Sequence, residues 1–356
     1  MVSVRRALRT LGASADTLSL VAHAHRSSTQ SVYQTYWAGW VAWCTARDIS
    51  PVKPSVFQLA NFLSGLSVSQ HLALSTIKGY RSAIVTTIKQ LGGRVRDQSR
   101  FPDLLRDVVR GVSLSVSRQP RRVPAWDLFR VLASLRLSPY EPLSAASLLH
   151  LTFKAAFLIL LATGRRVSEV HSLSGLASDV SFEPDGSVTL QFLPEFLAKN
   201  QTPGFVSPSL SIPPLTRILS PDDDDRLLCP VRVLRVYRRR TAPLRGQHAR
   251  RLFISINPAI QRDITLQSVA RWVKETIRYA YRSSAELGSA RAHEVRAWST
   301  SLAFRHSVSL AALMQAAFWR SESTFSNYYL RDVRRLRDDG TYGLASVVVA
   351  QHAVSV

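Results

Sequence analysis

From Ser28 onward, apolar residues recur at helical spacing. Tyr33, Trp37, Trp40, Val41 and Cys44 follow i, i+4, i+7, i+8 and i+11 and share one stripe. After the start signal Pro54–Ser55 the pattern returns at Val56, Leu59, Ala60 and Leu63. It returns again at Ile77, Tyr80, Ile84 and Ile88, and after Pro102 at Leu105, Val108, Val109 and Val112. Such stripes are stable only against partners, so residues 27–112 are expected to form a compact four-helix unit of roughly 90 residues. Residues 1–26 show little periodicity and read as a flexible N-terminal arm. The stretch 113–124 (SLSVSRQPRRVP) interrupts the pattern with serines, prolines and Arg118, Arg121 and Arg122, as a basic interdomain linker would.

A second domain is expected over 125–338. It opens after Trp126 with a helical pattern in DLFRVLASL and a longer apolar helix from Ser147 to Thr163. The period then changes. Ser187–Phe192 (SVTLQF) and Leu210–Ile212 read as strands, joined by a turn-rich segment with Lys199, Asn200, Pro203 and Gly204, and Leu252–Ile256 is strand-like. Helices are expected at Pro230–Arg239, Leu266–Tyr281 and from His293 onward, and 339–356 is an apolar C-terminal tail that must dock somewhere. The fold class that follows is mainly α with a small β-sheet: a helical domain, then a mixed α+β domain.

Composition adds a partner. The 356 residues carry 46 Lys+Arg against 24 Asp+Glu, a formal charge of +22. Each phosphate neutralised by such a chain releases condensed counterions, so nucleic acid leads among polyanions. Only six of the cations are lysines, and guanidinium forks suit bidentate phosphate contact. The longest apolar run, Ala155–Ala162, falls far short of the ~18–20 residues of a membrane span. The N-terminus lacks a secretory apolar block, so neither membrane insertion nor secretion is expected. Cys44 and Cys229 stand 185 positions apart and form no disulfide framework or metal pair, which fits a reducing interior. The acidic run Asp222–Asp225 lacks spaced partners and reads as a solvated loop, so no metal is expected.

Three segments of the second domain concentrate chemistry: Thr163-Gly-Arg-Arg-Val-Ser-Glu169, His293-Glu-Val-Arg296 and Trp319–Tyr329 (WRSESTFSNYY). Alone, each is weak. Their order is not: Arg166, a strand turn with Lys199, His293 and Arg296 on one helical face, Trp319 at Arg296+23, then Tyr328 and Tyr329 at +32 and +33. This order resembles the tyrosine recombinase, or phage integrase, family over Ser28 to about Val333. LCPVRVLRVY (228–237), AHEVRAWSTSLAF (292–304) and STFSNYYLRDV (323–333) are similar, more narrowly, to the recombinases of DIRS-type retroelements.

The resemblance implies a helical core-binding domain followed by a catalytic domain. It also implies a transesterification in which a tyrosine attacks a DNA phosphodiester, leaving a 3′-phosphotyrosyl bond and a free 5′-hydroxyl. Arg166 and Arg296 would clamp the phosphoryl oxygens, His293 would donate a hydrogen bond or assist proton transfer, and the Trp319 indole would donate without titrating. Glu169 would orient Arg166, and Lys199 would protonate the leaving 5′-oxygen. The spacing of some members selects Tyr328 as nucleophile; the retroelement pattern, with tyrosine before Leu-Arg-Asp, selects Tyr329, which is preferred. Lys78 and Arg81 in the helical domain and Arg118, Arg121 and Arg122 in the linker are expected DNA contacts. The expected partners are double-stranded DNA and further copies of the chain, as a homo-tetramer on two duplexes serving integration of a mobile element. No cofactor is expected, because one phosphoester is exchanged for another. The expected location is nuclear in a eukaryote and cytoplasmic otherwise. A type IB topoisomerase-like relaxing enzyme and a catalytically inactive DNA-binding derivative are the alternatives.

Overall fold

The computed structural model describes residues 2–24, 27–115, 124–198, 205, 207–215, 224–247, 249–257, 259, 263–284, 287, 289–305, 308–317, 319 and 321–330. The protein is mainly helical with one small sheet, and the chain divides into two compact units, Met1–Gln119 and Pro120–Val356. In the first unit the stretch expected as an arm contains two helices, α1 (Val2–Thr10) and α2 (Ala15–His23). Ser14 caps α2, its Oγ accepting from the Thr17 amide at 3.1 Å, and Val4 and Leu18 are buried. Val4 and Leu18 are the only buried hydrophobics of these two helices among the described residues, so neither shows the apolar stripe that marks the later helices.

Four helices follow: α3 (Ser27–Thr45), α4 (Val56–Val68), α5 (Leu74–Gln90) and α6 (Leu104–Ser115). Their core is built from the apolar stripes, with Trp40, Leu59, Leu63, Ile77 and Ile84 shut from solvent. Ser55 opens α4 with a capping box. Its Oγ accepts from the Gln58 amide at 3.2 Å, and its own amide donates to Gln58 Oε1 at 2.8 Å. The buried Trp40 indole finds its partner in the Pro51 carbonyl at 3.0 Å. A side chain at Gly79 would meet the Tyr36 ring at 2.8 Å, so glycine there lets α3 and α5 close on the stacked pair Tyr36–Tyr80. Lys78 is exposed and Arg81 half-buried on α5.

The second unit is built around α8 (Leu148–Thr163), which follows α7 (Leu128–Leu135). Its residues from Leu151 to Leu160 are buried on nearly every side, as expected of a helix apolar all round. After α9 (Val167–His171), strands β1 (Val180–Phe182), β2 (Val188–Leu190) and β3 (Leu210–Ile212) form an antiparallel meander, with Val180 opposite Leu190 and Val188 opposite Ile212. The helices α10 (Pro230–Thr241), α11 (Leu266–Ala280) and α12 (Glu294–Arg305) pack on α8; α13 (Leu310–Ala317) and α14 (Glu322–Tyr328) close the described chain. Strand β1 has no counterpart among the expected elements, because three residues are too few to display an alternation.

Leu252–Ile256 departs from expectation: it makes no strand, only two isolated bridges, Ser174 with Arg251 just before it and Ile254 with Asp263 in its middle. Leu252, Phe253 and Ile254 are all buried, and Arg245 donates to the carbonyls of Arg251 (2.8 Å) and Leu252 (2.6 Å). The Leu252 amide still donates to the Leu173 carbonyl at 2.8 Å, while side chains, Arg245 and the Tyr237 hydroxyl at the Ile254 amide (3.1 Å), take bonds a continuous ladder would have taken. Of the acidic run, Asp225 accepts from Arg136 at 2.6 Å. No helix among the described residues is long and apolar enough to cross a membrane.

One ion cluster is wholly structural. Lys154, fully buried on α8, donates to the Leu135 carbonyl at 2.7 Å and to Glu141 Oε1 at 2.5 Å, while Arg232 grips both oxygens of Glu141 at 2.7 and 3.0 Å. Burial pushes the Glu141 carboxyl up, but the bonds from Arg232 and Lys154 outweigh it and hold the group below the usual carboxylate range.

Candidate active site

Gly164 ends α8 in the left-handed region (φ +57°), its amide donating to the Leu160 carbonyl at 3.0 Å. The turn it makes delivers two consecutive arginines to the start of α9. Arg166 is the N-cap residue and Glu169 lies at the third helical position. The Glu169 carboxylate accepts from the Arg166 amide at 3.2 Å and from Arg166 Nη1 at 2.7 Å. Glu169 is 1% exposed, so it holds Arg166 from beneath; the Arg166 side chain is 21% exposed.

Two further guanidiniums share that carboxylate at longer range. Arg165 Nη1 and Arg296 Nη1 each lie 3.9 Å from Glu169 Oε2, and both side chains are buried. Arg296, from α12, also donates through Nη2 to the Ala317 carbonyl at 2.7 Å. Burial pushes Arg165 and Arg296 down to about 10; for Arg296 the neighbouring Arg166 adds to the effect, while Tyr329 and Glu169 oppose it. Both remain cationic at neutral pH. Three guanidiniums against one carboxylate leave an excess of positive charge at a low-dielectric spot.

Two rings cover Arg296. Its guanidinium lies 4.7 Å from the centroid of Trp319 and 4.7 Å from that of Tyr329, and the two rings are 4.9 Å apart. Phe325 backs Trp319 at 5.3 Å. Tyr329 is the C-cap of α14, its amide donating to the Phe325 carbonyl and its own carbonyl accepting from Ser301 Oγ at 3.0 Å. Arg296 Nε, Arg296 Nη1 and Trp319 Nε1 are buried donors with no hydrogen-bond partner among the described residues. Leaving such donors unmet costs about 1–3 kcal/mol each, more when charged. All three are donors, so an acceptor, such as an oxyanion, is what they lack. Beside the cluster opens a cavity of about 1130 Å³, with Thr163, Arg165, Arg166, Ala198 and Trp319 in its wall.

The structure thus gathers Arg166, Glu169, Arg296, Trp319 and Tyr329. His293 stands exposed, one residue ahead of α12. Glu294, inside the same HEVR block, turns to other partners: Trp126 Nε1 and the Arg291 amide, both at 2.9 Å. Tyr328 is the last residue of α14. Lys199, Arg118, Arg121, Arg122 and the tail 339–356 lie outside the described residues. Arg165 joins the cluster without having been singled out by spacing, although a glutamate four residues on is the signal that flags it.

No protein-family model matches the sequence, and no curated protein matches it. Among solved structures the chain is similar to the crystal structure of XerA recombinase, at 14% identity over 91% of this chain and 96% of that one, with a TM-score of 0.39. It is similar to a lambda integrase dimer bound to a COC′ core site, at 15% identity over 96% and 78% of the two chains, TM-score 0.48. It is also similar to XerH site-specific recombinase bound to difH substrate in a pre-cleavage complex, at 16% identity over 80% and 69%, TM-score 0.49.

Proposed function

We propose that the site binds a phosphodiester of double-stranded DNA and that Tyr329 exchanges it, so that the protein cleaves and rejoins DNA as a tyrosine recombinase does. One observation carries the reading: the unmet buried donors of Arg296 and Trp319 lie directly against the Tyr329 ring, amid uncompensated arginine charge. A phosphate enters as the Tyr329 ring swings off Arg296. The exchange is favourable, since a cation–π contact worth about 0.5–2 kcal/mol gives way to charge-assisted hydrogen bonds of about 1.5–3 kcal/mol each.

The Tyr329 Oη then attacks phosphorus, the new O–P bond forms, and the bond to the 5′-oxygen breaks. Arg166 and Arg296 neutralise charge on the phosphoryl oxygens, Trp319 Nε1 adds a neutral donor, and Glu169 keeps Arg166 in register. The tyrosine proton passes to a base, for which His293 is the titratable group. Lys199 gives the leaving 5′-oxygen its proton. No cofactor is needed, because the phosphotyrosyl bond conserves the energy of the phosphodiester. Lys78, Arg81, Arg118, Arg121 and Arg122 supply salt-sensitive grip on the backbone. Four copies act on two duplexes, in the service of a mobile element of the DIRS type.

The nucleophile is Tyr329 rather than Tyr328, a choice supported by the contact of its ring with Arg296. Trapping on a randomised pool of nicked suicide duplexes tests it. Tyr329→Phe is expected to abolish covalent capture and Tyr328→Phe to retain it; capture that survives Tyr329→Phe overturns the assignment.

A further inference from the structure

The sequence places two tyrosines side by side, and a rotation of the chain by one residue would exchange which of them faces the arginines. Something must hold the frame. Tyr329 sits where α14 ends, at φ −124° and ψ −29°, and a helix terminus is where backbone is most free to fray. Its amide is held by the last turn, through the Phe325 carbonyl at 2.9 Å. The Leu330 amide donates to that same carbonyl at 2.9 Å. The Tyr329 carbonyl is held from outside the helix, by Ser301 Oγ at 3.0 Å.

Ser301 belongs to α12, five residues beyond Arg296, and is fully buried. The same helix therefore carries the guanidinium that meets the phosphate and the hydroxyl that fixes the backbone of the attacking residue. We propose that Ser301 is a positioning residue that sets the register of the nucleophile, presenting Tyr329 and not Tyr328 to the phosphate held by Arg296. The proposal rests on the reading of Tyr329 as nucleophile. It also explains how the ring can leave Arg296 while the oxygen stays in range: with carbonyl and amide both tied, the ring moves by side-chain rotation alone. Neighbouring hydroxyls on α12 are spent elsewhere, Ser299 on the Leu161 carbonyl (2.6 Å) and Thr300 on the Arg296 carbonyl (2.8 Å).

The test compares wild type, Ser301→Ala, Ser301→Thr and Ser301→Cys on the same randomised pool of nicked duplexes. It reads three quantities: the rate of covalent capture, the tyrosine that carries the DNA by peptide mapping, and the melting temperature. Loss of the tether is expected to slow capture roughly 10- to 100-fold, the range that a displacement of about 1 Å commands. A fraction of the phosphotyrosine should then appear on Tyr328. Ser301→Thr, which keeps the hydroxyl, should restore both rate and register, whereas Ser301→Cys keeps the volume with a weak donor and should behave like alanine while melting near wild type. A merely structural serine would lower melting temperature without moving DNA to Tyr328. Ser301→Ala or Ser301→Cys that captures at the wild-type rate and only on Tyr329 overturns the positioning role alone. Wild type that captures no DNA overturns the reading of the site itself, and this proposal with it.

Discussion

The second unit contains two buried clusters, each built on one carboxylate, and they differ in what they leave unmet. Around Glu141, both oxygens are taken at 2.5–3.0 Å by Lys154 and Arg232, and the lysine also bonds the Leu135 carbonyl. Around Glu169 only Arg166 comes to bonding distance, at 2.7 Å; Arg165 and Arg296 stay at 3.9 Å. Both carboxylates are buried, but two cations face Glu141, one of them Arg232 at 37% exposure, whereas three guanidiniums, two of them buried, face Glu169. The Glu141 cluster is closed, a staple between α8 and α10. The Glu169 cluster is open, with donors on Arg296 and Trp319 awaiting an acceptor. The two clusters differ in the balance of donors and acceptors and in the number of cations set against one carboxylate.

Substitutions can test that contrast. The largest effect is expected at the closed cluster. Glu141→Gln strands the buried Lys154 and should destabilise the unit by about 3–5 kcal/mol, the cost of breaking a buried pair. The readout is denaturant unfolding, and the molecules that remain folded should capture DNA at the wild-type rate. At the open cluster the order reverses. Arg296→Lys removes phosphate donors and should slow capture about 10²–10³-fold, while costing only about 1 kcal/mol of stability for the lost bond to Ala317.

A smaller effect tells the clusters apart without DNA. Inorganic phosphate at tenfold excess over its Kd should stabilise the wild type by about 1.4 kcal/mol, through the open cluster. Thermal unfolding should show the shift in wild type and Glu141→Gln, and its loss in a Trp319→Phe, Arg296→Lys double variant. An equal shift in all three would mean that the anion binds elsewhere.

The smallest effect is one of pH. Because the folded Glu141 carboxyl lies below its unfolded value of 4.5, its contribution is complete above about pH 4.5 and is lost as pH falls through the lower folded value. Acid unfolding of Glu141→Gln should therefore be shallower than that of wild type over that range.

Much of this architecture is legible in the amino-acid order. The stripes from Trp37 to Val112 name the helices of the first unit, because a 3.6-residue period is a local property of the chain. Ser55, Ser147 and Gly164 mark helix ends for the same reason, and the spacing from Arg166 to Tyr329 brings the chemistry to notice. Less legible are α1, α2 and β1, which bury too few positions to display a stripe or an alternation, and Leu252–Ile256, which has strand composition but makes only isolated bridges.

The sequence by itself determined most of the longer helices, strands β2 and β3 and the charge that favours a polyanion, since a helical or strand period depends on neighbours within a few positions along the chain. The tertiary fold determined that the Tyr329 ring lies against Arg296, that Arg296 shares the Glu169 carboxylate, that Glu294 turns to Trp126, and that one carboxylate cluster is closed while the other is open. Those outcomes depend on pairs such as Glu169–Arg296, Arg296–Ala317 and Ser301–Tyr329, whose members are far apart in sequence. Hydrogen-bond satisfaction is decided atom by atom across such distances, and no local pattern encodes it.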